Sequence, residues 1–143
     1  MAAAIIAMIW LGMLIGVSFL ATPIKFVVGD LSLPVALQVG QATFHLFAKV
    51  EWALAAVLTG ASAFPWRTRP IVLIITLAIA VGVIAQTLWL LPALDARVAS
   101  IVAGETPPPS AHHMLYAGLE GVKGVLLAVA AFLCLRRAPK HPI

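Results

Sequence analysis

Residues 71–91 read IVLIITLAIAVGVIAQTLWLL, and no Asp, Glu, Lys or Arg occurs from Pro70 to Leu94. A helix needs about 20 apolar residues to cross roughly 30 Å of hydrocarbon, and this stretch supplies them without a break. The run is continuous rather than alternating, which disfavours a membrane β-strand. Three other stretches qualify on the same ground, so spans are expected at about 3–22, 36–58, 71–91 and 112–135. The second contains Lys49 and Glu51, and the fourth contains Glu120 and Lys123.

Composition agrees with this reading. Of 143 residues, 63% are hydrophobic and 10% charged, and the mean hydropathy is +1.10. Soluble domains are about 45–50% apolar and about 25% charged. A single core of this size cannot hide so much apolar surface from water, because such a domain still exposes roughly a third of its unfolded surface. The sequence therefore reads as an all-α, integral membrane four-helix bundle in one domain, with the lipid bilayer as its principal partner. The net charge of +4 belongs to helix ends rather than to a nucleic-acid surface, and no nucleic-acid partner is expected. The single cysteine, Cys134, excludes an intrachain disulfide and a Cys-based zinc site.

Punctuation separates the spans. Pro23 follows the first, Leu33-Pro34 opens the second, and Pro92 is expected to close the third. Residues 64–70, FPWRTRP, read as a short interfacial turn, and 104–110, GETPPPS, as an extended linker. Residues 1–24 carry no Lys or Arg, and Ala2–Thr22 is too long for a signal-peptide core, so the first span is expected to be retained. Arg67, Arg69, Arg136, Arg137 and Lys140 fall on one side, against Lys25 and Arg97 on the other. That asymmetry is expected to place both termini in the cytoplasm, and the expected location is a bacterial inner membrane (plasma membrane).

The informative residues are the polar ones at membrane depth. On the second helix Gln38, Gln41, His45, Lys49 and Trp52 are spaced 3, 4, 4 and 3, all within about 40° of His45 at about 100° per residue. On the fourth, His112, Tyr116, Glu120 and Lys123 are spaced 4, 4 and 3 and form another stripe. An ionised group at the bilayer centre costs about 2.5–3.5 kcal/mol or more, so both stripes are expected to turn inward. Depth suggests two pairings: Glu120 with His45 or Lys49, and Glu51 with Lys123. Glu51 lies off the second-helix stripe and is expected to face a different neighbour. Gln86 on the third helix is expected to hydrogen-bond inward. Close packing is expected at Gly12 and Gly16, and at Gly118, Gly121 and Gly124.

Such a seam either fixes helix register or lines a half-channel for a proton, an ion or a small solute. No cofactor is required by the residues. Haem is left open by the histidines, although His45 at about 14 Å depth does not match His112 and His113 near the surface. A metal such as copper at the outer mouth would draw on His112, His113 and Asp95. Ser18 and Cys134 lack an evident neighbouring base, there is no phosphate-binding loop, and enzymatic activity is not expected.

Trp10-Leu11-Gly12, Phe19…Pro23…Phe26, Leu33-Pro34, Gly40…Phe44 and Gln86…Leu91-Pro92…Arg97 together resemble the transmembrane protein 205-like family of small four-helix membrane proteins. That family is in turn loosely similar to copper-export-like and protoporphyrinogen-oxidase-like four-helix proteins. Family members carry a His near the start of helix four and an Asn about two turns later, where this chain has Tyr116 and Lys123. Three functions follow as expectations: ion, proton or small-solute handling through the seam; a non-catalytic subunit or assembly factor of a larger complex, or a homo-oligomer; and a haem- or quinone-linked redox protein.

Overall fold

The computed structural model describes residues 1–27, 29–63 and 70–136. It contains four helices long and apolar enough to cross a membrane: α1 (Ala2–Ile24), α2 (Leu33–Ser62), α3 (Pro70–Val102) and α4 (His112–Leu135). Each packs against its neighbours in the order α1–α2–α3–α4, and α4 closes the ring on α1. Their buried positions follow a seven-residue rhythm: Ala3, Ala7, Trp10 and Leu14 on α1, and Tyr116, Glu120, Lys123, Leu127 and Ala130 on α4. Steps of four and three keep one narrow face on the bundle axis, as in left-handed bundles. Only 28% of each membrane-length window is buried. Leu20, Leu46, Leu88 and Val125 are among the apolar side chains left exposed on the outside of the bundle.

The third helix corrects the sequence reading. Pro92 does not close it; the helix continues to Val102 and carries Asp95 and Arg97 with it. The reason is a π-helical turn at Gln86–Leu90, immediately before the proline, in which the Leu91 N–H donates to the Gln86 carbonyl. Proline lacks an N–H and its ring collides with the carbonyl four residues back. A widened turn just upstream relieves both problems without ending the helix. Gly104, at φ 85°, supplies the stop. The Gly104 N–H donates to Ile101 and the Glu105 N–H to Ser100, closing the end in a left-handed cap. The Arg97 guanidinium then donates to the Pro108 carbonyl and ties down the linker.

α1 repeats the device. Its π-helical turn at Ile15–Ala21 precedes Pro23, and the Thr22 N–H donates to Val17. Pro23 and Pro92 lie 69 residues apart, as do Glu51 and Glu120. The same displacement relates the buried pairs Ala3 and Val72, Trp10 and Ile79, Leu14 and Val83, Phe47 and Tyr116, and Leu58 and Leu127. Leu46-Phe47-Ala48-Lys49-Val50-Glu51 has its counterpart in Leu115-Tyr116-Ala117-Gly118-Leu119-Glu120. The α1–α2 and α3–α4 hairpins are thus quasi-equivalent halves, the arrangement of a parallel internal repeat about an axis along the bundle.

The glycines behave differently from expectation. Among the described residues, only Gly124 is packed as foreseen, with Leu11 and Leu14 side-chain atoms 3.7 and 3.8 Å from where a Cβ would stand. Gly12, Gly16, Gly118 and Gly121 face open space. The Arg67 and Arg69 turn, and Arg137, Lys140 and His141, lie outside the described residues.

Candidate functional site: a charged cluster on the bundle axis

Two carboxylates and one ammonium meet at the centre of the bundle. The Lys123 Nζ lies 2.5 Å from Glu51 Oε1 and 2.6 Å from Glu120 Oε1, and it donates to Gln86 Oε1 at 2.8 Å. An ammonium has three donors, and all three are used here. Glu51 is on α2 and Lys123 on α4, so this ion pair crosses the diagonal of the ring and braces the two hairpins. Each of the three charged residues is only 1–3% exposed.

The remaining helices complete the shell. From α1, the Trp10 indole N–H donates to Glu51 Oε1 at 3.0 Å, and the Ser18 hydroxyl donates to Glu120 Oε2 at 2.7 Å. From α3, the Gln86 amide donates to Glu120 Oε1 at 2.8 Å. Ser18 lies within the π-helical turn of α1, and Gln86 begins that of α3. Both irregular turns therefore aim a polar side chain at one carboxylate, which fits the tendency of π-turns to occur at functional positions. Replacing Trp10 with Phe keeps the ring and deletes the donor. The expected loss is about 1–2 kcal/mol, to be measured by denaturant or detergent unfolding.

The charge count matters. With every group ionised, two carboxylates and one ammonium sum to −1. A low-dielectric interior strongly favours neutrality, so the cluster has room for one more positive charge, either a proton or a small cation.

A second polar region lies toward the α2 N-terminus. Asp95 accepts from His45 Nε2 at 2.8 Å and from the Gln41 amide at 2.9 Å. It helps to line a cavity of about 80 Å3 with Lys25, Gln41, Phe44 and His113. The Lys25 ammonium lies 5.2 and 5.6 Å from the ring centroids of Phe26 and Phe44, and it fills the space that a side chain at Gly40 would need. Burial pushes the Lys25 amine below its usual range. Between this mouth and the charged cluster stands a plug of Phe44, Ala48, Leu90, Leu91 and Tyr116. Tyr116 meets Phe44 edge-on at 5.1 Å. Its buried hydroxyl, one helical turn above Glu120, has no hydrogen-bond partner among the described residues. Beyond Lys123 the axis is closed by apolar packing that includes Leu58, Val72, Ile75 and Leu127.

These positions divide the expected site residues. Glu51, Gln86, Tyr116, Glu120 and Lys123 come together on the axis, and Glu51 meets Lys123 as anticipated. The expected pairing of Glu120 with His45 or Lys49 does not occur: Glu120 is held by Lys123, Gln86 and Ser18. The α2 stripe does not turn inward. Gln38, His45 and Lys49 are exposed and Gln41 is half-buried, because the inward face of α2 is the one bearing Ala48, Glu51, Ala55 and Leu58. Gln41 and His45 find their partner in Asp95, which the continuation of α3 past Pro92 brings alongside them. The outer metal site is not assembled either. His112 packs edge-on against Trp89 at 6.4 Å, and no group of three or more His, Cys, Asp or Glu among the described residues is placed to hold a metal. Trp10 and Ser18 were not anticipated as carboxylate partners. Trp10 falls on the heptad face of α1, a signal that was available in the sequence.

No protein-family model matches the chain, and no curated protein or solved structure matches it.

Proposed function

We propose that this is a proton- or small-cation-handling membrane protein, with the Glu51–Lys123–Glu120 cluster as the site that takes up and releases the charge. One observation carries the reading: a fully buried cluster on the bundle axis with one carboxylate more than it has cations. Intramembrane ionisable groups are costly and belong to ion and proton pathways more often than to scaffolding. The Asp95–His45 mouth, the Tyr116 hydroxyl and Glu120 mark out the route from one end, which the plug around Phe44 and Leu90 must open to complete. The apolar packing around Leu58 and Leu127 makes the other end a closed gate. The two π-turn and proline elements are where the halves would flex to open it.

In this reading all four helices cross the bilayer, both termini are cytoplasmic, and the membrane is a bacterial inner membrane. The kinship with the transmembrane protein 205-like family is part of the same proposal.

Glu120→Gln tests the function. The substitution keeps the acceptor for Lys123 and leaves one carboxylate against one ammonium, so the fold should be retained. In proteoliposomes with an imposed potential and an internal pH dye, wild-type protein should move protons well above protein-free vesicles. Glu120→Gln should lower that flux about a hundredfold, in the range associated with loss of a positioned proton-transfer group. The same comparison is made with a sodium- or potassium-sensitive dye; equal flux in the two proteins, or wild-type flux no greater than that of empty vesicles for protons and both cations, would refute the proposal.

A further inference from the structure

Among the described residues, Lys49 is a charge at membrane depth that no acidic group of the bundle answers. Trp10 lies about 12 Å along α1 from Ala2, and its indole is bonded to Glu51. Lys49 is two residues from Glu51 on the antiparallel α2, hence about 15 Å from that end. This is the midplane of a hydrocarbon layer roughly 30 Å thick. Yet its side chain is exposed on the outside of the bundle, and it has no carboxylate partner among the described residues. A lysine stem is too short to carry its ammonium from the midplane to the headgroups.

The surroundings form a groove rather than a flat lipid face. Lys49 lines a surface cavity of about 400 Å3 between α1 and α2, together with Ile6, Ile9, Ala53, Leu54 and Val57. An apolar trough with one cation at its edge is complementary to an apolar helix with one anion. A second copy of this chain does not supply that anion. The chain has five acids: Glu51 and Glu120 are buried, Asp95 is already held by His45 and Gln41, and Asp30 and Glu105 lie in the connections outside the helices. A second copy docked on this groove would instead bring a second Lys49.

We propose that the α1–α2 groove seats a transmembrane helix of a different protein, one that carries a carboxylate at mid-bilayer depth and pairs it with Lys49. This goes beyond the proton-handling reading and holds whether or not Glu120 exchanges a proton. The groove makes the chain one subunit of a heteromeric membrane assembly.

The test is site-specific photocrosslinking in the native membrane, with the photoreactive side chain at Ala53 in the groove and, as a control, at Val81 on the exposed face of α3. The expected product at Ala53 is an adduct with another integral membrane protein, mapping to a span that contains Asp or Glu. Its yield should fall about a hundredfold in Lys49→Gln, as for loss of a desolvated intramembrane ion pair, and recover in Lys49→Arg. The proposal is overturned if Ala53 captures only lipid, captures only a second copy of this chain, or gives the same adduct and yield in Lys49→Gln. Lys49 is on the surface, so circular dichroism of Lys49→Gln should match wild type, and a lost adduct then reports the interface rather than the fold.

Discussion

Lys123→Met should unfold far more easily than wild type, losing about 3–5 kcal/mol of stability. The substitution preserves the length and apolar stem of the side chain, so little packing is lost. What disappears is the one cation that Glu51 and Glu120 share at 2.5 and 2.6 Å. Two carboxylates then face each other with only the neutral donors of Trp10, Ser18 and Gln86 to hold them. Those donors offset part of the desolvation of an anion, but they cannot neutralise it. The Gln86 Oε1 atom also loses its donor. Unfolding by graded detergent, followed by helical circular dichroism, measures the effect. A Lys123→Met protein within about 1 kcal/mol of wild type, the scale of an ordinary surface change, would show that the cluster is solvated and does not depend on its ammonium. Glu120→Gln should lose much less, since it leaves a neutral pair of Glu51 and Lys123.

The contrast between α2 and α4 shows what could be read from the chain. On α4 the polar stripe and the heptad face coincide: Tyr116, Glu120 and Lys123 step by four and three and continue into Leu127 and Ala130. Spacing alone therefore placed them on the axis. On α2 the two patterns conflict. Gln38, Gln41, His45 and Lys49 share a face and outnumber Glu51, so they look like the seam. The structure instead buries Glu51, because it is in register with Ala48, Ala55, Leu58 and Ser62, whose small or apolar side chains fit against α1 and α3. Counting polar residues was the wrong criterion; the face that packs decides which charge is inside. The six-residue parallel between Leu46–Glu51 and Leu115–Glu120 carried the right answer, since it aligns Glu51 with a residue already placed on the axis.

The helices themselves were legible because continuous apolar runs and proline punctuation are strong signals. Their limits were not, at Pro92 above all. A π-turn is a property of backbone hydrogen bonding, and nothing in the Gln86–Leu90 sequence distinguishes it from an ordinary α-helical turn. Ending the span at Leu91 left Asp95 outside it and hid its pairing with His45 and Gln41.

Removing all three charges together separates scaffold from mechanism. Glu51→Gln, Glu120→Gln and Lys123→Met in one chain should fold about as well as wild type, within about 1–2 kcal/mol, even though Lys123→Met alone is severely destabilised. Replacing a complete buried ion cluster with neutral groups of similar volume is often neutral or stabilising, because desolvation consumes most of the Coulombic gain. Here the two new amides also inherit usable partners. The Trp10 N–H and Ser18 O–H still find amide oxygens, and Gln86 can pair with the new amide at position 120. The three effects are therefore strongly non-additive, as expected for residues sharing one network. Flux should nonetheless be abolished in the triple variant, since no group on the axis can then bind or release a proton. A triple variant as unstable as Lys123→Met would make the charges part of the scaffold. A stable triple variant that still moved protons would remove the cluster from the pathway. Stability kept while flux is lost is the outcome that the surplus carboxylate requires: the chain then carries two acids and a lysine at its driest point for their exchangeable charge, not for the strength of the contact.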